Sequence, residues 1–373
     1  MRIFPYHKIF WVSHRRHRYL SAFLNSFNGI KSSTMWGDIA LFCLGCAFAA
    51  LIITALSMPL LIQYLKAKQI YDSAHRRSHG KDPVVVGGGW AVLLAALPLI
   101  SILFYVQDVA LIYYGLPLGA FVLALISWWD DVAHINVAIR LLVQSLVIIP
   151  VVLFLFPQQV QLFDVLPLWA DRAVLYFCLL WFTNLYNFMD GIDGLSGMQT
   201  AYLGFSIGGL MICLGVGGLM GPAYGFILGG AALGFLIWNW QPAKIYLGDV
   251  GAISLGFLMG WYVLSLALAG YFWPAVILPL YYCLDATATL IGRVLKGQTV
   301  LSAHKGFYYQ APIPYPYKDR DVVWRIAGVN LVLLLCAYLS VQADNLWQLV
   351  PALIGAFCSA YGLMLFFQKQ RYS

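Results

Sequence analysis

The chain has no glutamate: all fifteen acidic residues are aspartate. Charge of either sign is scarce, with Asp, Lys and Arg making up 10% of 373 residues. A soluble surface of this size usually carries roughly a quarter or more charged residues. Hydrophobic residues reach 62% and the mean hydropathy is +0.79. Soluble, disordered, collagen-like and disulfide-stapled folds are therefore excluded. No Ser/Gly linker or internal repeat divides the chain. The apolar runs are continuous rather than alternating, which excludes a porin-type barrel. The seven cysteines all lie inside apolar runs, where packing explains them, including the Cys43/Cys46 spacing.

What is present is a series of apolar segments, each long enough to cross about 30 Å of hydrocarbon. The expected fold is all-α, a polytopic membrane protein of about eleven transmembrane helices: 38–65, 87–106, 109–128, 138–156, 173–189, 200–217, 222–239, 250–268, 273–292, 326–342 and 346–367. From residue 38 onward, fifteen Lys and Arg between Lys66 and Arg371 fall in alternate loops, against Arg172 alone in the others. That bias makes the richer side cytoplasmic. Residues 1–34 hold six Lys/Arg and no acid, which conflicts with this orientation. The expectation is a basic extension that lies on a membrane surface or precedes a native start at Met35, followed by a single transmembrane domain over 35–373. With that extension set aside, sixteen basic residues face fifteen acidic ones, and no nucleic-acid-binding module is implied.

Ionisable groups in so apolar a chain need a reason. Nine aspartates fall in or beside the loops of the basic side, and Asp285 lies in the cytoplasmic half of the ninth span; only Asp38, Asp108, Asp164, Asp171 and Asp344 fall opposite. This crowding points to a reaction site at the cytoplasmic face. The sharpest string is Asn187-Phe188-Met189-Asp190-Gly191-Ile192-Asp193-Gly194-Leu195-Ser196-Gly197. On a helix, Asn187, Asp190 and Asp193 would share one face, and the glycines allow close approach of a ligand. A second string ends the third span with Trp128-Trp129-Asp130-Asp131; adjacent carboxylates call for a cation. A third places Asp249 between glycines in Asn239-Trp240-Gln241-Pro242-Ala243-Lys244-Ile245-Tyr246-Leu247-Gly248-Asp249-Val250-Gly251, where it can cap a helix or meet a metal. In the first cytoplasmic loop, basic residues including Lys81 precede the run Gly87-Gly88-Gly89, a pattern that suits a phosphate-bearing ligand without being a P-loop. In the longest loop, the pair His304-Lys305 lies among aromatics and could contact phosphate.

Together, from about residue 66 to 310, these strings resemble the polyprenyl-phosphate N-acetylhexosamine-1-phosphate transferase family, which includes the MraY and WecA enzymes, and most resemble its O-antigen-initiating branch. The resemblance implies catalytic roles for Asp130, Asp131 and His304. It implies a metal-binding Asp249, with Mg²⁺ or Mn²⁺ as cofactor. Substrate-binding roles fall on Lys81, Asn187, Asp190, Asp193, Asn239, Tyr246 and Lys305, with Asn239 and Tyr246 on the uridine. Two departures from the branch stand out: Val85-Val86 replaces a Pro-Arg, and Lys305-Gly306-Phe307 replaces an Arg-Ser-His. The implied partners are a UDP-N-acetylhexosamine donor, such as a 6-deoxy sugar, a polyprenyl phosphate acceptor and the bilayer of a bacterial inner membrane. A homodimer is one state the resemblance allows. The implied products are UMP and a polyprenyl-diphospho-sugar that initiates a cell-surface glycan. The alternative is a transporter of nucleotide sugars or lipid-linked sugars, which calls for polar or broken helices near the midplane, often in paired halves.

Overall fold

The computed structural model describes residues 34–71, 83–133, 135–298, 306–313 and 317–370. The chain is an all-α membrane bundle. Its helices are α1 (Thr34–Ala67), α2 (Gly89–Val106), α3 (Gly115–Ala133), α4 (Val137–Pro150), α5 (Leu168–Phe188), α6 (Leu195–Leu214), α7 (Met220–Asn239), α8 (Gly248–Leu268), α9 (Phe272–Ile277), α10 (Leu280–Leu295), α11 (Asp319–Gln342) and α12 (Leu346–Gln370). A π-turn over Val151–Leu155 extends α4, and a 3-10 turn over Leu111–Tyr114 leads into α3. Residues 1–33 lie outside the described residues.

Among the described residues, nine helices are long and apolar enough to cross a bilayer, against the eleven spans expected. The difference lies in two places. The expected span 173–189 corresponds to α5, which has the length but carries Asp171, Arg172, Thr183, Asn184 and Asn187. The expected span 273–292 is broken into α9 and α10. Pro279 stands at the break, where its missing N–H and fixed φ interrupt the helical ladder.

Helix α8 is the axis of the bundle, and nearly all of its residues are buried. It is hydrophobic all round, as a helix surrounded by others must be. Helices α2, α3, α5, α6 and α9 pack against it. Hydrocarbon gives no hydrophobic drive for helices to associate, so tight packing through small residues takes its place. At Gly256 of α8, a Cβ would lie 2.8 Å from the carbonyl oxygen of Thr183, so α5 approaches there only because the side chain is absent.

At the end of the bundle that carries Lys66, Lys244 and Arg293, the connections are ordered by a two-residue parallel pair. Strand β1 (Val85–Val86) runs beside β2 (Ile245–Tyr246), with Val86 opposite Tyr246. This ties the chain entering α2 to the chain entering α8.

Candidate active site

The site is built where α3, α4 and α8 meet at this basic end. Asp130 lies near the end of α3, and its Oδ1 accepts the Ile135 N–H at 2.7 Å. The chain then reverses sharply: the Asn136 side chain accepts the Ala138 N–H and caps α4. The first turn of α4 therefore returns Arg140 toward Asp130. One guanidinium nitrogen, Nη1, donates to Asp130 Oδ2 at 2.5 Å and to Asp249 Oδ2 at 3.3 Å. Asp249 stands in the first turn of α8, where the helix dipole favours a carboxylate. Both carboxylates have only 12% of their side-chain surface exposed, and Arg140 has 29%. Two carboxylates from different helices thus converge on one cationic nitrogen, close to water yet mostly shielded from it.

The glycines before α2 serve this convergence. The N–H groups of Gly87 and Gly88 donate to the Tyr246 carbonyl, and that of Gly89 donates to Leu247. The run was expected to suit a phosphate, but these donors are spent on the chain that leads to Asp249. At Gly89 a Cβ would fall 2.3 Å from the Gly251 nitrogen, so α2 and α8 touch backbone to backbone two residues beyond Asp249.

Asn187 lies in the last turn of α5, but the helix stops at Phe188. Asp190 and Asp193 sit in the connection to α6 rather than on one helical face with Asn187. Gly194, at φ +83°, supplies the left-handed turn that starts α6. Asp190 and Asp193 are both buried. Asp193 Oδ2 accepts the Ala243 N–H at 3.0 Å, and the Asp193 N–H donates to Asp319 Oδ2, at the start of α11, at 3.1 Å. Asn239 joins the two strings: its Oδ1 accepts the Gly194 N–H, and its Nδ2 donates to the Ile245 carbonyl, both at 2.8 Å. Its amide ties the Asp193 loop to β2 and hence to Tyr246. The two strings, 45 residues apart between Gly194 and Asn239, form one surface.

The match to the family model described as glycosyl transferase family 4 covers residues 113–267, and so includes Asp130, Arg140, the Asn187–Asp193 string, Asn239, Tyr246 and Asp249. The chain is 30% identical over 232 residues to a phospho-N-acetylmuramoyl-pentapeptide-transferase of Leuconostoc mesenteroides, covering 56% of this chain and 71% of that protein. The chain belongs to glycosyl transferase family 4. Other family 4 relatives include a probable undecaprenyl-phosphate N-acetylglucosaminyl 1-phosphate transferase of Bacillus subtilis, 25% identical over 252 residues (62% of this chain, 67% of the relative). A phospho-N-acetylmuramoyl-pentapeptide-transferase of Streptococcus thermophilus is 27% identical over 266 residues (65% and 77%).

For this family 4 member, Lys81, His304 and Lys305 lie outside the described residues, as does the side chain of Asp131. Arg140 is the residue that the sequence reading missed, having been counted only among the basic residues of its side. A signal was present: it is an arginine ten positions after Asp130, one turn past an Asn that can cap a helix. Among the described residues, no three His, Cys, Asp or Glu side chains gather to hold a metal by themselves. Asp130 and Asp249 still fit Mg²⁺, which binds one or two carboxylates and completes its shell with water and substrate phosphate. Both oxygens already converge on one positive group.

Proposed function

We propose that this protein transfers an N-acetylhexosamine-1-phosphate from a UDP-sugar to polyprenyl phosphate, releasing UMP, at the cytoplasmic face of a bacterial inner membrane. The observation that carries this reading is the meeting of Asp130, Arg140 and Asp249, from three helices. Membership of glycosyl transferase family 4 supports it, as do relatives named as transferases of this kind.

In the proposed reaction, an oxygen of the acceptor phosphate bonds to the β-phosphorus of the donor. The bond from that phosphorus to the bridging oxygen breaks, and its electrons leave with UMP. A phosphate monoester has its second pKa near ~6, so the acceptor is mostly dianionic at neutral pH and needs little help from a base. Asp130 therefore serves to hold and orient, with Asp131 beside it. Asp249 and Asp130 are the residues to hold Mg²⁺, which when bound would neutralise the diphosphate and the departing UMP. Arg140 adds a fixed positive charge at the same point and keeps the two carboxylates from repelling each other. Tyr246 offers a ring for the uracil, and Asn239 shapes that pocket through the loop and strand it ties together. Asp190 and Asp193 face the donor. Lys81, His304 and Lys305 are the proposed phosphate contacts. A 6-deoxy-N-acetylhexosamine donor and an O-antigen-like product are the finer expectation, by resemblance to one branch.

The test is UMP release by purified protein supplied with UDP-N-acetylhexosamines and polyprenyl phosphate. The reading requires UMP that appears only with both substrates and is abolished by EDTA. A transporter would move the donor intact and release none.

A further inference from the structure

Asp285 belongs to none of the strings above, yet its carboxylate is fully buried on α10. A buried carboxylate must be well partnered, and two of its partners are backbone N–H groups of one short turn over Tyr308–Gln310. Oδ1 accepts the Tyr308 N–H and Oδ2 the Tyr309 N–H, both at 2.9 Å. The hydroxyl of Tyr281, one turn back on α10, donates to Oδ2 at 3.0 Å. Two consecutive backbone donors converging on one carboxylate fix the path of the turn, as in the anion-holding concavities of backbone N–H groups.

The turn reaches across to the loop between α5 and α6. Tyr309 is fully buried, and its hydroxyl donates to the Phe188 carbonyl at 3.1 Å. The Phe307 ring stacks with both Phe188 and Tyr309, with centroids 6.3 and 5.8 Å away. At Gly191 a Cβ would lie 2.1 Å from the Tyr309 hydroxyl oxygen and 2.5 Å from Gln310 Nε2. The loop is seated on this tyrosine, and only glycine permits the fit.

We propose that Asp285 is a positioning residue for the donor-binding loop: it fixes Tyr309, and Tyr309 fixes Phe188 and Gly191 on either side of Asp190. The functional part rests on the reading of that loop as donor-binding. The far end of the loop is held separately, by Ala243 and Asp319 on Asp193. Asp285 holds the near end, so α10 and α11 each clamp one side. A loop with glycines at 191 and 194 has much freedom to lose. Losing it in advance leaves more of the binding free energy for the donor.

The test uses full-length protein carrying Asp285→Asn, Tyr309→Phe or Gly191→Ala. Asn can still accept one N–H, but it turns its own NH₂ toward the other. Hydrogen exchange should rise about tenfold in the peptide over residues 187–194 in Asp285→Asn, with residues 249–268 at the wild-type level. The donor KM should rise about tenfold while the acceptor KM stays within about twofold. Tyr309→Phe should show the same pattern more weakly. Asp285→Asn with Tyr309→Phe should be no worse than Asp285→Asn alone, because both act through one tie. If Asp285→Asn does not fold, Tyr309→Phe and Gly191→Ala carry the test. Unchanged exchange over 187–194, or exchange rising everywhere with both KM values moving together, would overturn the assignment. If the wild type shows no transferase turnover, the donor reading falls, and the exchange data still decide whether Asp285 clamps the loop.

Discussion

Arg140 and Asp249 share one contact but should fail differently when altered. Removing the arginine leaves Asp130 and Asp249 facing each other without compensation, which makes the point between them more attractive to a divalent cation. Arg140→Met should therefore lower turnover by about 10²–10³-fold, the scale of losing one preorganised charge. It should retain or tighten Mn²⁺ binding, read by electron paramagnetic resonance on the purified protein. Asp249→Asn keeps the volume and removes the charge, so turnover should fall on the order of 10³-fold with Mn²⁺ binding lost. Equal Mn²⁺ binding in wild type and Asp249→Asn would move the metal away from α8. Tyr246 is a third separable residue. Stacking on a base is worth ~1–3 kcal/mol, so Tyr246→Ala should raise the donor KM by about tenfold and leave the acceptor KM unchanged. Equal effects on both substrates would remove the tyrosine from the uridine.

At the scale of elements, the site depends on how closely α2 approaches α8. Gly89→Ala would place a methyl 2.3 Å from the Gly251 nitrogen, against backbone that cannot rotate away. Overpacking of this kind costs about 1–3 kcal/mol, so the variant should unfold at lower temperature in detergent and lose activity. Gly209→Ala on α6 is the control: nothing lies within 4 Å of its Cβ position, and its melting temperature should hold or rise. A wild-type melt for Gly89→Ala would contradict the close crossing. The elements were largely legible beforehand, because runs of apolar residues near the length of a bilayer leave little choice but helix. The break at Pro279 and the polar face of α5 were less so, since composition does not tell a partner-lined helix from a lipid-facing one. In the site, Asp130, Asp190, Asp193 and Asp249 stood out because charge is rare in this chain. The bridging by Arg140, the amide tie of Asn239 and the seating of Gly191 on Tyr309 did not. Each joins residues distant in sequence or across a turn, and only packing brings them together.

For the molecule as a whole, the fold is a buried axial helix wrapped by others, with its chemistry gathered at one end. The uneven distribution of Lys and Arg is the ground for the proposal that this end faces the cytoplasm. The orientation is tested by single cysteines read with a membrane-impermeant maleimide. Asn345→Cys, in the short α11–α12 connection, should label from outside intact cells. Lys244→Cys should label only in inverted vesicles, and the reverse pattern would place the site on the other face. The most direct test of the central claim follows the β-phosphorus. Donor carrying ³²P at the β-phosphate is incubated with purified protein, polyprenyl phosphate and Mg²⁺, and the label is located by extraction. The account predicts that the label enters the lipid fraction in step with UMP release, and that Asp249→Asn abolishes both. Label that stays with the intact nucleotide sugar, or is released as free phosphate or sugar phosphate, would contradict it.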